Sequence, residues 1–535
     1  MPAQPVFSSR AIFLASQSKN SYEQMPTGEA VQLLHEMAHW GYNEYWFQFD
    51  RVQFEDIFDH RTEGESGRAE WQKQKELTAT AKRLGMKTAF VSPVNICYRN
   101  QGDDASRSKQ ESNGEFGFVQ EQVCPSKPRG KEIILRNFRN LFQDLPELSL
   151  LCLLAYGDGG CRCKDCRPWA RTFIELTQEV AQVLHEFHER AELLIFDWRF
   201  NEKEVAAVAQ YLRQEEPAWI HGIVKSDRNP PDHWSKRELP IQYRQVAFLD
   251  VSKLGGWANF GANPFPRRAQ ALVADLAENN FDSLVVSSDE VHDDLNKVFV
   301  SHFANEPDAS LLEICKRYAQ RYFGGNGGEA IYEVVQLLEA GWSPRAGVWF
   351  NQDFGPQQED NADLEKLLKD CLEHAGPQAP LSWRWQMIAH RLRIGKLIQQ
   401  IGTPDALNSE IESLTKLAQE ADARADLVEM ISRIREMLMK QSDTLEQLES
   451  ELDTMRTQTL GLDDQRWPRL DVTSNIFEGR WGQTWAAWQR TIWRMEAWLD
   501  GCSNERTPQG MKKSLKDIPK LQSGKTSPLI AKPQS

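Results

Sequence analysis

Residues 148–169 read LSLLCLLAYGDGGCRCKDCRPW. Leu148–Tyr156 is almost wholly apolar, with no polar alternation, as a strand buried on both faces must be. It ends in Gly157-Asp158-Gly159-Gly160, a flexible turn that carries one carboxylate. Cys161, Cys163 and Cys166 follow, and Pro168–Arg190 has the apolar spacing of a helix. Strand, acid-bearing turn and helix make one unit of a parallel sheet.

The same unit recurs on both sides. Strands are expected at Arg10–Ser16, Tyr42–Phe49, Lys87–Val94, Leu193–Phe200, Trp219–Val224, Gln245–Val251 and Ser283–Ser287. Helices are expected from Thr27, as a cap, to Trp40, then over Gly67–Leu84, Lys131–Gln143, Asn201–Gln214 and Arg267–Glu278. A further helix over Ser310–Phe323 closes the region. Residues 99–122 have the composition of a long surface loop. Eight strands, most followed by a helix, predict an α/β fold of the (β/α)8 TIM-barrel type over residues 10–325. A doubly wound sheet is disfavoured, because no glycine-rich phosphate turn follows the first strand. Residues 1–9 read as a loose arm. Residues 326–500 read as an α-helical C-terminal domain, with a tryptophan stripe at Trp481, Trp485 and Trp488. The Lys-, Ser- and Pro-rich residues 501–535 read as a disordered tail.

Composition narrows the function. The formal net charge of -14 argues against a nucleic-acid backbone or an anionic membrane as partner. No apolar run approaches the ~20 residues of a membrane span, and no signal peptide is evident at the start. Nine cysteines, three of them within residues 161–166, fit reduced thiols in a cytoplasmic protein better than a disulfide framework. The helical region offers a face for self-association.

Side chains at the C-terminal strand ends of a barrel converge on one mouth. The strand assignment brings Asp50, Asp158, Asp197, Asp250, Asp289 and Glu290 to that rim. Acids from several strands suit glycoside hydrolysis, in which one carboxylic acid protonates the leaving oxygen and a second carboxylate supports an oxocarbenium-like centre. Asp158, the Asp289-Glu290 pair and Asp197 are the catalytic candidates. Asp50 and Asp250 are substrate-binding candidates, with helix capping as the plainer alternative for both. Trp46, Trp198 and Trp257 are candidate stacking platforms for a sugar ring, with core packing the alternative. Cys161-x-Cys163-x-x-Cys166 supplies three thiolates, and Cys124 can reach them from the neighbouring βα loop. Together they suggest a structural four-cysteine zinc site without a catalytic role. No organic cofactor is expected.

Three stretches resemble a known group. RAIFLASQSKNSYEQMPTGEAVQLLHEMAHWGYNEYWFQFD (10–50) resembles the opening of (β/α)8 glycosidase-like barrels of the family 20 hexosaminidase type. GDGGCRCKDCRPW (157–169) resembles a D-x-G-G-C-x-C-x-x-C-x-P-W motif in a branch of such proteins, and SSDEVHDDLNKVF (287–299) resembles that branch's strand-8 segment. The resemblance implies a carbohydrate substrate. Asp289 and Glu290 stand where the related segment reads S-E-G, and Asp158 lacks the adjacent glutamate of family 20, so that family's acetamido-assisted mechanism does not transfer. A non-catalytic carbohydrate-binding or scaffold barrel is the second expectation.

Overall fold

The structure is a computed structural model of the 535-residue chain. It describes residues 5–16, 21–61, 64–109, 122–146, 148–156, 160–226, 240, 242–251, 264–288, 293–324, 327–340, 342–344 and 354–356, with isolated positions between 369 and 450. The barrel lies in a compact unit built from Met1–Gln357, Lys366–Ala389 and Thr457–Leu470. Most of the expected helical domain, its tryptophan stripe and the tail fall outside the described residues.

Eight parallel strands close into a ring in sequence order. They are β1 (Ser9–Leu14), β2 (Glu44–Gln48), β3 (Lys87–Pro93), β4 (Leu150–Leu154), β5 (Glu192–Phe196), β6 (Gly222–Ser226), β7 (Arg244–Asp250) and β8 (Ser283–Ser288). β1 and β8 seal the ring in a register that runs from Ser9↔Ser283 to Leu14↔Ser288. Between and around them lie α1 (Ser21–Gln24), α2 (Thr27–His39), α3 (Glu65–Arg83), α4 (Pro128–Asp144), α5 (Trp169–Phe187), α6 (Glu202–Glu215) and α7 (Pro266–Glu278). After the barrel come α8 (Asp294–Asn305), α9 (Leu311–Phe323) and α10 (Gly328–Ala340). The expected (β/α)8 fold is the observed one.

Alternation along each strand divides the side chains into two layers. Phe13, Trp46, Val91, Cys152, Phe196, Val224, Phe248 and Val285 fill the interior. Residues two positions along the same strands set its two ends. At the N-terminal end Arg244 binds Glu44 at 2.9 Å, Glu192 at 3.3 Å and the Ser283 hydroxyl at 2.8 Å. Gly222 leaves the room for it: a Cβ there would stand 2.6 Å from the Arg244 carbonyl oxygen. The bottom of the barrel is thus plugged by paired charges.

Several expectations need correction. Phe7 is fully buried and its amide bonds to the Ala304 carbonyl, so the arm is anchored from that residue on. Thr27 is the first helical residue of α2 and makes no capping bond. β6 begins at Gly222, because Trp219 and Ile220 belong to the turn before it. α8 stands where the periodicity predicts no helix. Within the stretch read as helical, residues 342–344 and 354–356 pair as antiparallel strands β9 and β10.

Candidate active site and metal centre

The inward register of β2 and β7 extends past the core layer to the mouth. Trp46, Gln48 and Asp50 share one parity, as do Val246, Phe248 and Asp250. Asp50 accepts a hydrogen bond from Gln53 Nε2 at 2.8 Å. Burial pushes its carboxyl above the usual range; the Gln53 bond pulls it back, and the charge of Glu23 pushes it further up. Asp250 is almost fully buried and pairs across the sheet with Ser287 on β8. Trp198 is half-buried and lies edge-on to Phe196 and Phe248, with ring centroids at 5.6 and 6.0 Å. The indole offers an apolar face on an aromatic floor, and the two carboxylates offer hydrogen-bond acceptors.

Two candidates sit elsewhere. Trp46 is fully buried in mid-strand and donates its indole N–H to Glu44 at 3.0 Å, so it is a core residue below the mouth. Asp197 keeps strand pairing through its amide to the Val224 carbonyl, which puts it on the helix-facing parity opposite to Phe196. There it supports the charge of Lys225, whose ammonium burial pushes down to about 8. Lys225 donates to Gln245 at 2.7 Å and lies over the Phe281 ring. Asp158, Trp257, Asp289 and Glu290 lie outside the described residues.

The flanks of the Asp289-Glu290 segment are held firmly. Lys297 Nζ donates to Tyr22 Oη at 2.6 Å, Tyr22 Oη meets Ser288 Oγ at 2.6 Å, and Ser288 Oγ donates to Asp293 at 3.1 Å. Lys73 in turn holds the carbonyls of Tyr22 and Glu23. This chain fixes α1 against the exit of β8 and brings Glu23 within electrostatic reach of Asp50. Sequence reasoning missed Glu23, because a single helical turn has no periodicity to detect.

Beside the mouth, Cys124, Cys161, Cys163 and Cys166 gather with all four sulfurs within 4.8 Å of one another. Cys124 Sγ lies 3.7 Å from Cys163 Sγ and 3.5 Å from Cys166 Sγ. None of the four is in a disulfide. A tetrahedral ion with metal–sulfur bonds of ~2.3 Å sets sulfurs ~3.8 Å apart, so the spacing fits a metal. Hydrogen bonds from the Cys124 and Cys166 thiols pull Cys161 down as a thiolate, while Cys124 is pushed up to about 11. The cluster can therefore bind a metal, as the spacing of the cysteines predicts. Exposed Arg162, Lys164 and Arg167 interleave with the cysteines and suit the negative charge of a four-thiolate complex.

The loops fit each other closely. Gly130, in the first turn of α4, packs so near the Cys124 carbonyl oxygen that a Cβ would stand 2.1 Å from it. Gly130→Ala is expected to cost about 1–3 kcal/mol through overpacking. Thermal melts should show the loss, with lower metal content in the purified variant.

No family model matches the chain, and no curated protein matches it. Solved structures do. A GH138 enzyme that targets pectin rhamnogalacturonan II aligns at a TM-score of 0.57 and 9% identity, over 94% of this chain and 69% of that one. A family 89 glycoside hydrolase from Clostridium perfringens, in complex with GlcNAc-alpha-1,4-galactose, aligns at 0.53 and 11% identity, over 93% of this chain. The neighbours are glycoside hydrolases. This chain spans 64% of the length of the second. At such identities the likeness shows a shared barrel fold, and the expected kinship with family 20 remains a likeness of short stretches. Among the described residues no helix is long and apolar enough to cross a membrane.

Proposed function

We propose that this chain is a glycoside hydrolase working by carboxylate acid/base catalysis at the C-terminal mouth of the barrel. One observation supports the reading: Asp50 and Asp250 share the parity of the inward-facing residues of β2 and β7, and half-buried Trp198 packs edge-on against the inward Phe248, in a fold shared with glycoside hydrolases. Asp158 and the Asp289-Glu290 pair are the acid and its partner. Each lies a few residues from an anchored neighbour, Asp158 before Gly160 and the pair between Ser288 and Asp293. Asp50, Asp250 and Glu23 hold the sugar's hydroxyls, Trp198 carries its apolar face, and Asp197 acts behind the wall.

The acid protonates the glycosidic oxygen as the bond to the anomeric carbon lengthens. The partner carboxylate meets the positive charge that develops there. The four cysteines hold a structural zinc that fixes two loops at the rim and leaves no open position for substrate.

A panel of aryl glycosides, run beside glycan-binding measurements on the same preparation, tests this reading. Release of the aryl group, lost in Glu290→Gln or Asp289→Asn, is the expected result. Binding of a glycan without turnover of any glycoside would instead establish a carbohydrate-binding barrel, the reading that the altered segment at Asp289-Glu290 favours.

A further inference from the structure

Asn95 stands two residues beyond β3 and is fully buried. Its side chain is the meeting point of both cysteine loops. Nδ2 donates to the Val123 carbonyl at 2.9 Å and to the Gly160 carbonyl at 3.0 Å. Oδ1 accepts from the Gly160 amide at 2.7 Å. The Asn95 backbone carbonyl accepts from the Val123 amide at 3.0 Å. Val123 immediately precedes Cys124, and Gly160 immediately precedes Cys161. One side chain thus grips the residue before the first ligand on each of two loops.

The amide can sit only one way round. Two carbonyls need its N–H groups and one amide needs its oxygen; reversal would set three like partners against each other. Gly160 is shaped for this grip. Its φ of +110° turns both its N–H and its C=O toward Asn95, and a Cβ would press on the Tyr156 ring at 3.2 Å. At the same exit, the Val94 amide bonds to the Leu154 carbonyl, so Asn95 is itself fixed to the β3–β4 seam.

We infer that Asn95 is the positioning residue of the four-cysteine centre: it sets Cys124 and the Cys161–Cys166 loop in ligand geometry before any metal arrives. This rests on the metal reading of the cysteines and is independent of the glycosidase reading. Partners outside the ligand set commonly change metal affinity by 10- to 100-fold. Here the effect comes from ordering two loops that would otherwise have to be ordered by the metal itself.

The test uses the full chain, stripped of metal and titrated with zinc against a chromophoric chelator. Asn95→Asp retains the acceptor for Gly160 and loses both donors at nearly constant volume. It is expected to bind zinc about 10- to 100-fold more weakly, with the cobalt(II) spectrum of four thiolates retained. Asn137→Asp is the control, since Asn137 is as deeply buried and pairs with Gln101 away from the cysteines. Its zinc affinity should match the parent's, whatever its stability. A second measurement needs no variant: the Gly160 amide of the metal-free parent should be protected from hydrogen exchange. An Asn95→Asp affinity equal to the parent's, equal losses in both variants, or a freely exchanging Gly160 amide would each overturn the inference. A parent that binds no zinc overturns the metal site along with it.

Discussion

Arg384→Ala should destabilise the barrel by about 3–5 kcal/mol, the usual cost of stranding a buried charge. Arg384 reaches Asp294 in α8 with two bonds, Nε to Oδ2 at 2.7 Å and Nη2 to Oδ1 at 3.1 Å. Both residues are buried. Tyr318 donates to the same carboxylate at 2.7 Å, and the guanidinium stacks on Tyr322 with its centre 3.8 Å from the ring centroid. Burial pushes the Asp294 carboxyl up, but Arg384, Lys297 and Tyr318 outweigh it and hold the group below its usual range. Asp294→Ala should cost a similar amount, because it leaves the guanidinium unpaired. Arg384→Met with Asp294→Leu should be much milder than the two alanine losses summed. Urea midpoints for the four proteins give the comparison, and additive losses would refute the coupling.

Asp158→Asn and Glu290→Gln should each lower kcat by about 10²- to 10⁴-fold on any glycoside the parent turns over, the range for loss of an acid or base. Urea midpoints should stay at the parent value, since each change keeps the side chain's size and removes only its charge. Asp289→Asn locates the acid within the pair. If Asp289 carries the proton, its loss is the larger one. Parent-like rates in both Asp289→Asn and Glu290→Gln would remove the pair from the chemistry. Trp198→Ala should instead raise KM, because it takes away stacking area that binds substrate and transition state alike.

The parts of the fold legible in sequence were those with uniform local chemistry. Leu150–Leu154 and Ser283–Ser288 are uninterrupted apolar or small-residue runs of strand length, bounded by turn residues. The cysteine spacing was legible for a similar reason, since few structures other than a metal knot use three thiols in six residues. β6 was misplaced because Lys225 and Ser226 look like a loop, while in the fold Lys225 is covered by Gln245 and Phe281. α8 was invisible because its polar residues are buried. Asp294 and Lys297 break the apolar period, and their partners Tyr22, Tyr318 and Arg384 come from elements far along the chain. The Glu44–Arg244 plug was hidden in the same way, as was the hold of Asn95 on two loops. In the site, register sorted Asp250 from Asp197, a distinction of one residue that strand prediction from sequence rarely resolves, and depth along β2 sorted Asp50 from Trp46.

Closure by β1 and β8 has a consequence for synthesis. The ladder from Ser9↔Ser283 to Leu14↔Ser288 joins the barrel's first strand to its last. Until β8 leaves the ribosome, the growing chain carries an incomplete sheet with two raw edges, each a template for a wrong partner. Arg384, which braces α8 behind that seam, emerges later still. A nascent chain of this protein is therefore exposed to misassembly until both segments have emerged, and truncations anywhere before Arg384 should engage chaperones more strongly than the parent does.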